Sequence, residues 1–182
     1  MFDLKPSQIE GCFEMQPKVM GDERGRFVKV FHEQAFSAQG LETKFAEEYY
    51  SVSHKNVIRG LHFQLPPMDH VKMVYCVAGE VLDVVVDLRV GSPTYGQHAL
   101  FELSAAKANS IYIPKGMAHG FCVLSEQAIM VYKVSTVYSL SQDAGILWNS
   151  VGIQWPTTDA LMSVRDQGFP TFEQFKSPFK YE

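Results

Sequence analysis

The chain has 182 residues, 46% hydrophobic and 13% aromatic, with a formal net charge of -4. That length accommodates one domain with a substantial core, and the charge supplies no general field for nucleic acid or an anionic membrane. Any phosphate must therefore be held by a few local cations. No run reaches the length of a membrane span, and Met1 to Pro6 carries no basic segment followed by an apolar one, so the expected compartment is the cytosol. Cys12, Cys76 and Cys122 are odd in number and widely spaced. They indicate neither a disulfide framework nor a zinc knuckle and are expected as reduced, mostly buried thiols.

No repeat, low-complexity tract or linker interrupts the chain, so residues 1–182 read as a single domain. The N-terminal stretch has short strand signals near Ile9 to Met15. Gly21 to Arg26 reads as a charged turn that opens into a strand over Phe27 to Phe31, and His32 to Gln39 as a short helix stopped at Gly40. From Lys44 to Val137 the pattern is almost entirely strand. The runs are Phe45 to Ser53, Val57 to Gln64, Val71 to Val77, Val81 to Leu88, His98 to Leu103, Ser110 to Ile113, Gly120 to Leu124 and Ile129 to Val137, each rich in β-branched and aromatic residues. Ala78-Gly79-Glu80 reads as a tight hairpin, while Gly91 to Thr94 and Pro114 to Gly116 mark other turns. Eight or so strands at this spacing imply an all-β antiparallel sandwich or barrel of the jelly-roll type. After Gly145, Trp148, Trp155, Pro156 and the stretch Thr158 to Asp166 suggest irregular chain with short helices lying over it.

Val57 to Gln64 is a strand-like run that carries Arg59 and His62 on either side of Gly60. Strict alternation would put the two side chains on opposite faces, and a bulge at Gly60 would bring both into one cavity. Pro114 to His119 has the form P-x-G-x-x-H and resembles the second signature of the cupin barrels. The place of the first signature holds only one imidazole, in His62-Phe63-Gln64. Two histidines without a third nitrogen or a carboxylate make a poor transition-metal site, so neither metal nor cofactor is expected. Arg59, His62, Lys72, His119, Tyr132 and Asp166 remain as a polar cluster drawn from separate segments, costly to bury unless a ligand or partner groups satisfy it. Singly, Lys72 could be a solvated strand residue, Tyr132 an interface aromatic and Asp166 a helix-end charge. Jointly they suit proton transfer: a histidine takes a proton from carbon beside a carbonyl, a lysine or second histidine holds the oxygen that gains charge, and a tyrosine returns a proton to the opposite face.

Several motifs together resemble the dTDP-4-dehydrorhamnose 3,5-epimerase family. They are Asp22-Glu23-Arg24-Gly25-x-Phe27, Arg59-Gly60-Leu61-His62-x-Gln64, Lys72 in the next strand, Gly79-Glu80-Val81-x-Asp83-Val84-x-Val86-Asp87-Leu88-Arg89, Gly91-Ser92-Pro93-Thr94-x-Gly96, Ile113-Pro114-x-Gly116-x-Ala118-His119-Gly120-Phe121 and Tyr132-Lys133. The similarity runs from about Gly21 to Pro170, with the motifs in family order. It implies a dimeric, metal-free cupin-type jelly roll that epimerises a nucleoside-diphosphate 4-keto-6-deoxy sugar, with the first strands shared between subunits. By motif position His62 is the implied general base, Asp166 the carboxylate that orients it, Tyr132 the general acid and Lys72 the group facing the 4-keto oxygen. Arg59 and His119 would line the sugar and diphosphate, Arg24 would reach a diphosphate from the partner subunit, and Tyr138 would stack on the nucleobase. Asp143 and Arg165 stand where the family usually has Glu and Lys. Lys29, Glu47 and Tyr49 depart further, replacing the usual Glu, Gln and Asn on the nucleotide-facing side. Such changes can alter which base fits, so a guanosine- or cytidine-linked sugar stands beside the thymidine-linked one. A single-centre epimerase and a ketoisomerase stand as alternatives to the double epimerase.

Overall fold

The computed structural model describes residues 1–181, which form thirteen strands and two short helices. β1 (Phe2–Pro6) and β2 (Phe13–Pro17) precede a projecting hairpin of β3 (Val19–Asp22) and β4 (Gly25–Val28). The helix α1 (Glu33–Ser37) follows, capped by His32, whose side chain accepts from the Ala35 amide. Then come β5 (Glu47–His54), β6 (Ile58–Gln64), β7 (Lys72–Ala78), β8 (Glu80–Asp87), β9 (His98–Ser104), β10 (Ser110–Ile113), β11 (Met117–Val123), β12 (Gln127–Val134) and β13 (Asp143–Gly145). A one-turn helix, α2 (Val164–Gln167), lies near the C-terminal end. No helix among the described residues is long and apolar enough to cross a membrane.

Two antiparallel sheets carry the molecule. One has the order β1-β2-β10-β7-β12-β5, the other β13-β6-β11-β8-β9. Alternation along each strand sorts side chains between two environments. On β8, Val81, Asp83 and Val85 point to the interior between the sheets, where Val74, Phe121 and Met130 meet them, while Val84, Val86 and Leu88 point outward. The outward row is also buried, because the segment after β13 lays Ile146, Ile153, Trp155, Phe172, Phe175 and Phe179 over it. The C-terminal segment is therefore a cover for the five-stranded sheet, as its composition suggests. A third cluster, around Met15, Phe36, Met73 and Tyr112, packs α1 onto the outer face of the six-stranded sheet.

Four expectations change. Ala78-Gly79-Glu80 is no hairpin: β7 and β8 belong to different sheets, and the three residues carry the chain across one end of the sandwich. Gly79 has φ +80, and a Cβ there would lie 2.1 Å from the Gln127 carbonyl oxygen, so the crossing requires glycine. At the N-terminus the strand signal near Ile9 to Met15 resolves into β1 and β2, with Ile9 buried in the turn between them. The strand over Phe27 to Phe31 stops at Val28, since Phe31 leaves the hairpin to pack edge-on against Phe36 and Phe45. Finally, β11 begins at Met117 rather than Gly120 and so carries His119 within the ladder.

Candidate active site

The ladder between β6 and β11 contains the bulge. His119 pairs with His62 and Phe121 with Arg59, so three steps on β6 oppose two on β11. Gly60 sits at this point with φ +137, and a Cβ on it would come 2.6 Å from Gly120 Cα. Only glycine allows the two backbones to approach so closely. The extra residue rotates the strand by one position, and Arg59 and His62 both line one cavity of about 420 Å³, a size suited to a small-molecule ligand.

The bulge also frees a donor. The Gly60 amide points at Asp166 Oδ2, 3.1 Å away, while Asp166 Oδ1 lies 2.9 Å from His62 Nε2. Asp166 rides on α2, whose N-cap Ser163 accepts from the Asp166 amide at 3.1 Å. Burial would raise this carboxyl, but the hydrogen bonds from His62 and Gly60 outweigh it and hold the group below its usual range. An ionised carboxylate only accepts, so His62 Nε2 carries the proton and Nδ1 keeps the basic lone pair. Phe169 meets the imidazole edge-on at 5.7 Å and backs the ring.

The opposite sheet contributes Lys72 and Tyr132. Lys72, the first residue of β7, is buried, and burial lowers its ammonium to about 8 against the pull of Asp83 and Asp143. Tyr132 on β12 is 6% exposed, and burial pushes its phenol far above the usual range, so it stays protonated near neutrality. Its hydroxyl is 2.9 Å from Ser51 Oγ and its ring stacks on Tyr49 at 4.8 Å. His119 on β11 lies at 2.9 and 3.0 Å from the two oxygens of Asp83. Burial, reinforced by the Lys72 ammonium, pushes this imidazole well below its ordinary value.

The rim is polar. Glu47 accepts from the Tyr138 amide at 2.7 Å, the Tyr138 hydroxyl donates to Asp143 at 3.2 Å, and Arg165 pairs with Asp143 at 2.6 Å. Arg59 donates through Nε to Ser53 Oγ at 2.9 Å. Thus Glu47, Tyr49, Arg59, His62, Lys72, His119, Tyr132, Tyr138, Asp143 and Arg165 line one hollow, with Asp166 directly behind His62. Arg24 and Lys29 do not join them. Arg24 sits exposed at the hairpin tip on Asp22, and Lys29 is exposed just beyond β4. The expectation that Lys29 faces the nucleotide fails within one chain, because the hairpin that leads to it stands off the sandwich.

Sequence reasoning overlooked Asp83, Ser51, Ser53 and His70. The signal for Asp83 was present: an acid inside Val81 to Val86, a run otherwise apolar and expected to be buried. Ser51 and Ser53 share the inward row of β5 with Glu47 and Tyr49. His70 also lines the cavity, its imidazole lowered to about 3 by burial and then by Lys72. It precedes β7 in a stretch that reads as turn. Among the described residues no three His, Cys, Asp or Glu side chains converge as a ligand group for a metal ion.

A jelly roll whose two sheets present an imidazole–carboxylate pair and a phenol to one cation-bearing hollow defines a class, the isomerases that act on sugar nucleotides. The family model for dTDP-4-dehydrorhamnose 3,5-epimerase matches residues 6–174. The chain belongs to that family. It is 45% identical over 163 residues to the dTDP-4-dehydrorhamnose 3,5-epimerase of Shigella flexneri, spanning 88% of this chain and 90% of that protein. It is 41% identical to the dTDP-4-dehydrorhamnose 3-epimerase of Streptomyces niveus, spanning 90% of this chain and 81% of that one. Among solved structures it matches, with TM-score 0.96, 34% identity and 100% coverage of both chains, the dTDP-6-deoxy-D-glucose-3,5-epimerase of Legionella pneumophila in complex with dTDP-4-keto-L-rhamnose.

Proposed function

We propose that this protein epimerises C3, C5 or both of a thymidine-diphosphate-linked 4-keto-6-deoxy sugar by taking and returning a proton through an enolate. The carbonyl at C4 acidifies the hydrogens on its two neighbours. His62, held by Asp166 with Nδ1 free, removes one of them. The Lys72 ammonium stabilises the oxygen that becomes negative, in a pocket where burial strengthens the attraction. Tyr132, reaching in from the other sheet, delivers a proton to the far face and inverts the carbon. Arg59, His119 and Arg165 bind and orient the sugar diphosphate, while Tyr138 stacks on the base at the rim.

The observation that carries this reading is the opposition of acid and base. His62 stands on the five-stranded sheet, Tyr132 on the six-stranded sheet, and both border one cavity. A thymidine-linked substrate is supported by the names of the relatives, which favour it over guanosine- or cytidine-linked sugars. Incubation with dTDP-4-keto-6-deoxyglucose in deuterated water tests the reaction: deuterium should enter C3, C5 or both. A product free of deuterium at both carbons, or a 3-keto sugar, overturns it.

The chain acts, on this reading, as a single cytosolic domain paired with a second copy. Phe27, at 59% exposed, and Met20 on the hairpin, with Tyr50, at 70%, and Val52 on the outer row of β5, form apolar surface that such a copy would cover. A dimer would also bring Arg24 within range of a diphosphate. Sedimentation at the mass of one chain would exclude this assembly.

A further inference from the structure

Tyr49 stands directly across from Tyr132 in the β5–β12 ladder. Directly opposed residues share a face of the sheet, and here the rings stack with centroids 4.8 Å apart and planes inclined by 17°. The imidazole of His119 meets the same phenol edge-on, at 6.3 Å and 72°. The Tyr132 hydroxyl lies 2.9 Å from Ser51 Oγ, two residues along the strand that bears Tyr49. One strand therefore holds both the ring and the hydroxyl of the proton donor. Tyr49 covers one face of the phenol with a ring of similar size, a contact that limits how far Tyr132 can swing.

We propose that Tyr49 is a positioning residue: its ring pins Tyr132 in one orientation and thereby sets how protonation divides between C3 and C5. The proposal rests on Tyr132 being the proton donor of the reaction described above. C3 and C5 flank C4 on opposite sides, so a phenol fixed in one orientation reaches one of them better than the other. A phenol free to swing serves both more evenly but is less often aligned with either. Because a misplacement near 1 Å can cost on the order of 100-fold in rate, a ring that limits this swing is kinetically significant. Tyr49 is itself 42% exposed at the cavity side of an edge strand, so its removal opens space beside Tyr132 without excavating the core.

Wild type, Tyr49→Ala, Tyr49→Leu and Tyr49→Phe are compared with dTDP-4-keto-6-deoxyglucose in deuterated water, following kcat, KM, melting temperature and the ratio of deuterium at C3 to that at C5. Loss of the ring in Tyr49→Ala should lower kcat about tenfold and shift the ratio at least about threefold, with KM changed less than about twofold. Tyr49→Leu, which keeps volume but offers no aromatic face, should shift the ratio in the same direction. Tyr49→Phe, which keeps the stack, should retain the wild-type ratio. A rise in KM alone in the alanine and leucine variants, with kcat and ratio untouched, would make Tyr49 a nucleotide contact and overturn the proposal. A phenylalanine variant that behaves like alanine would overturn it too, by assigning the effect to the hydroxyl. Wild-type enzyme that takes up no deuterium at either carbon removes the epimerase reading itself, an outcome distinct from both of these.

Discussion

Two imidazoles face the cavity from neighbouring strands, paired directly across the ladder, and each sits 2.9 Å from a carboxylate oxygen. Their surroundings differ. The His62 side chain is 29% exposed, and its carboxylate arrives from a separate helix, held below its usual range by the imidazole and a bulged backbone amide. His119 is nearly closed off, its carboxylate Asp83 is completely buried on the next strand, and the Lys72 ammonium adds to the cost of charging the ring. Both pairs share an Nε2–carboxylate contact of 2.9 Å, although His119 meets both oxygens of Asp83 and His62 only one of Asp166, so that contact cannot by itself make a base. His62 is the more open of the two and faces a carboxylate held ionised, which suits the proposed base, whereas burial keeps His119 neutral.

The sharpest way to break this contrast is to remove each imidazole in turn. His62→Asn should lower kcat about 10³-fold while moving the melting temperature by no more than about 3 °C. His119→Asn should show the reverse emphasis. It leaves Asp83 buried with a poorer partner, at a cost near 2 kcal/mol of stability, while kcat/KM falls only about tenfold. Urea unfolding and steady-state rates on the two variants decide the matter, and equal kinetic losses would erase the distinction. Next in size is Asp166→Asn. Its amide can donate to Nε2, which moves the imidazole proton to Nδ1, the nitrogen required to be basic. A loss of about 10² in kcat with the fold intact is expected, and full activity would show that Asp166 only braces α2.

Half of this contrast could be read before the fold was known: the pairing of His62 with Asp166 was expected, that of His119 with Asp83 was not. The strand pattern from Lys44 to Val137, the bulge at Gly60 and the meeting of Arg59 with His62 follow from alternation and from one glycine between two polar residues. Asp83 was visible as an acid in an apolar strand, yet nothing local says that it points to the interior or that His119 lies on its diagonal. Sheet assignment was hidden as well. Gly79 looks like a hairpin residue because neighbours in sequence usually pair, and only packing separates β7 from β8. That separation puts Lys72 and Asp83 on opposite sheets, with Lys72 lining the hollow and Asp83 buried behind His119, which no short-range signal specifies. Arg24 sits at the tip of the β3–β4 hairpin and Lys29 just past its end, and what those two side chains meet is set by the placement of the hairpin rather than by any local pattern.

The pH dependence of Lys72 tests the burial half of the comparison. With its ammonium lowered from 10.5 to about 8, activity should fall along an alkaline limb with a midpoint near 8, as the charge that steadies the enolate disappears. Stability should move the opposite way. Between about 8 and 10.5 the unfolded chain keeps a proton that the folded chain has released, so unfolding requires proton uptake and becomes harder as pH rises. Lys72→Met should abolish both trends. A limb that persists in this variant assigns the titration to another group.

The smallest effect isolates Asp83. Its carboxylate raises the Lys72 value against the opposing influence of burial, so Asp83→Asn should lower it further and shift the alkaline limb toward acid. The same change relieves a buried carboxyl that burial already pushes well above its usual range, so the stability cost at neutral pH should be modest, under about 2 kcal/mol. Activity below neutrality should not change. If it does, the two imidazole–carboxylate pairs act as one coupled system across the ladder, and the division of labour between them belongs to the network rather than to the burial of either member.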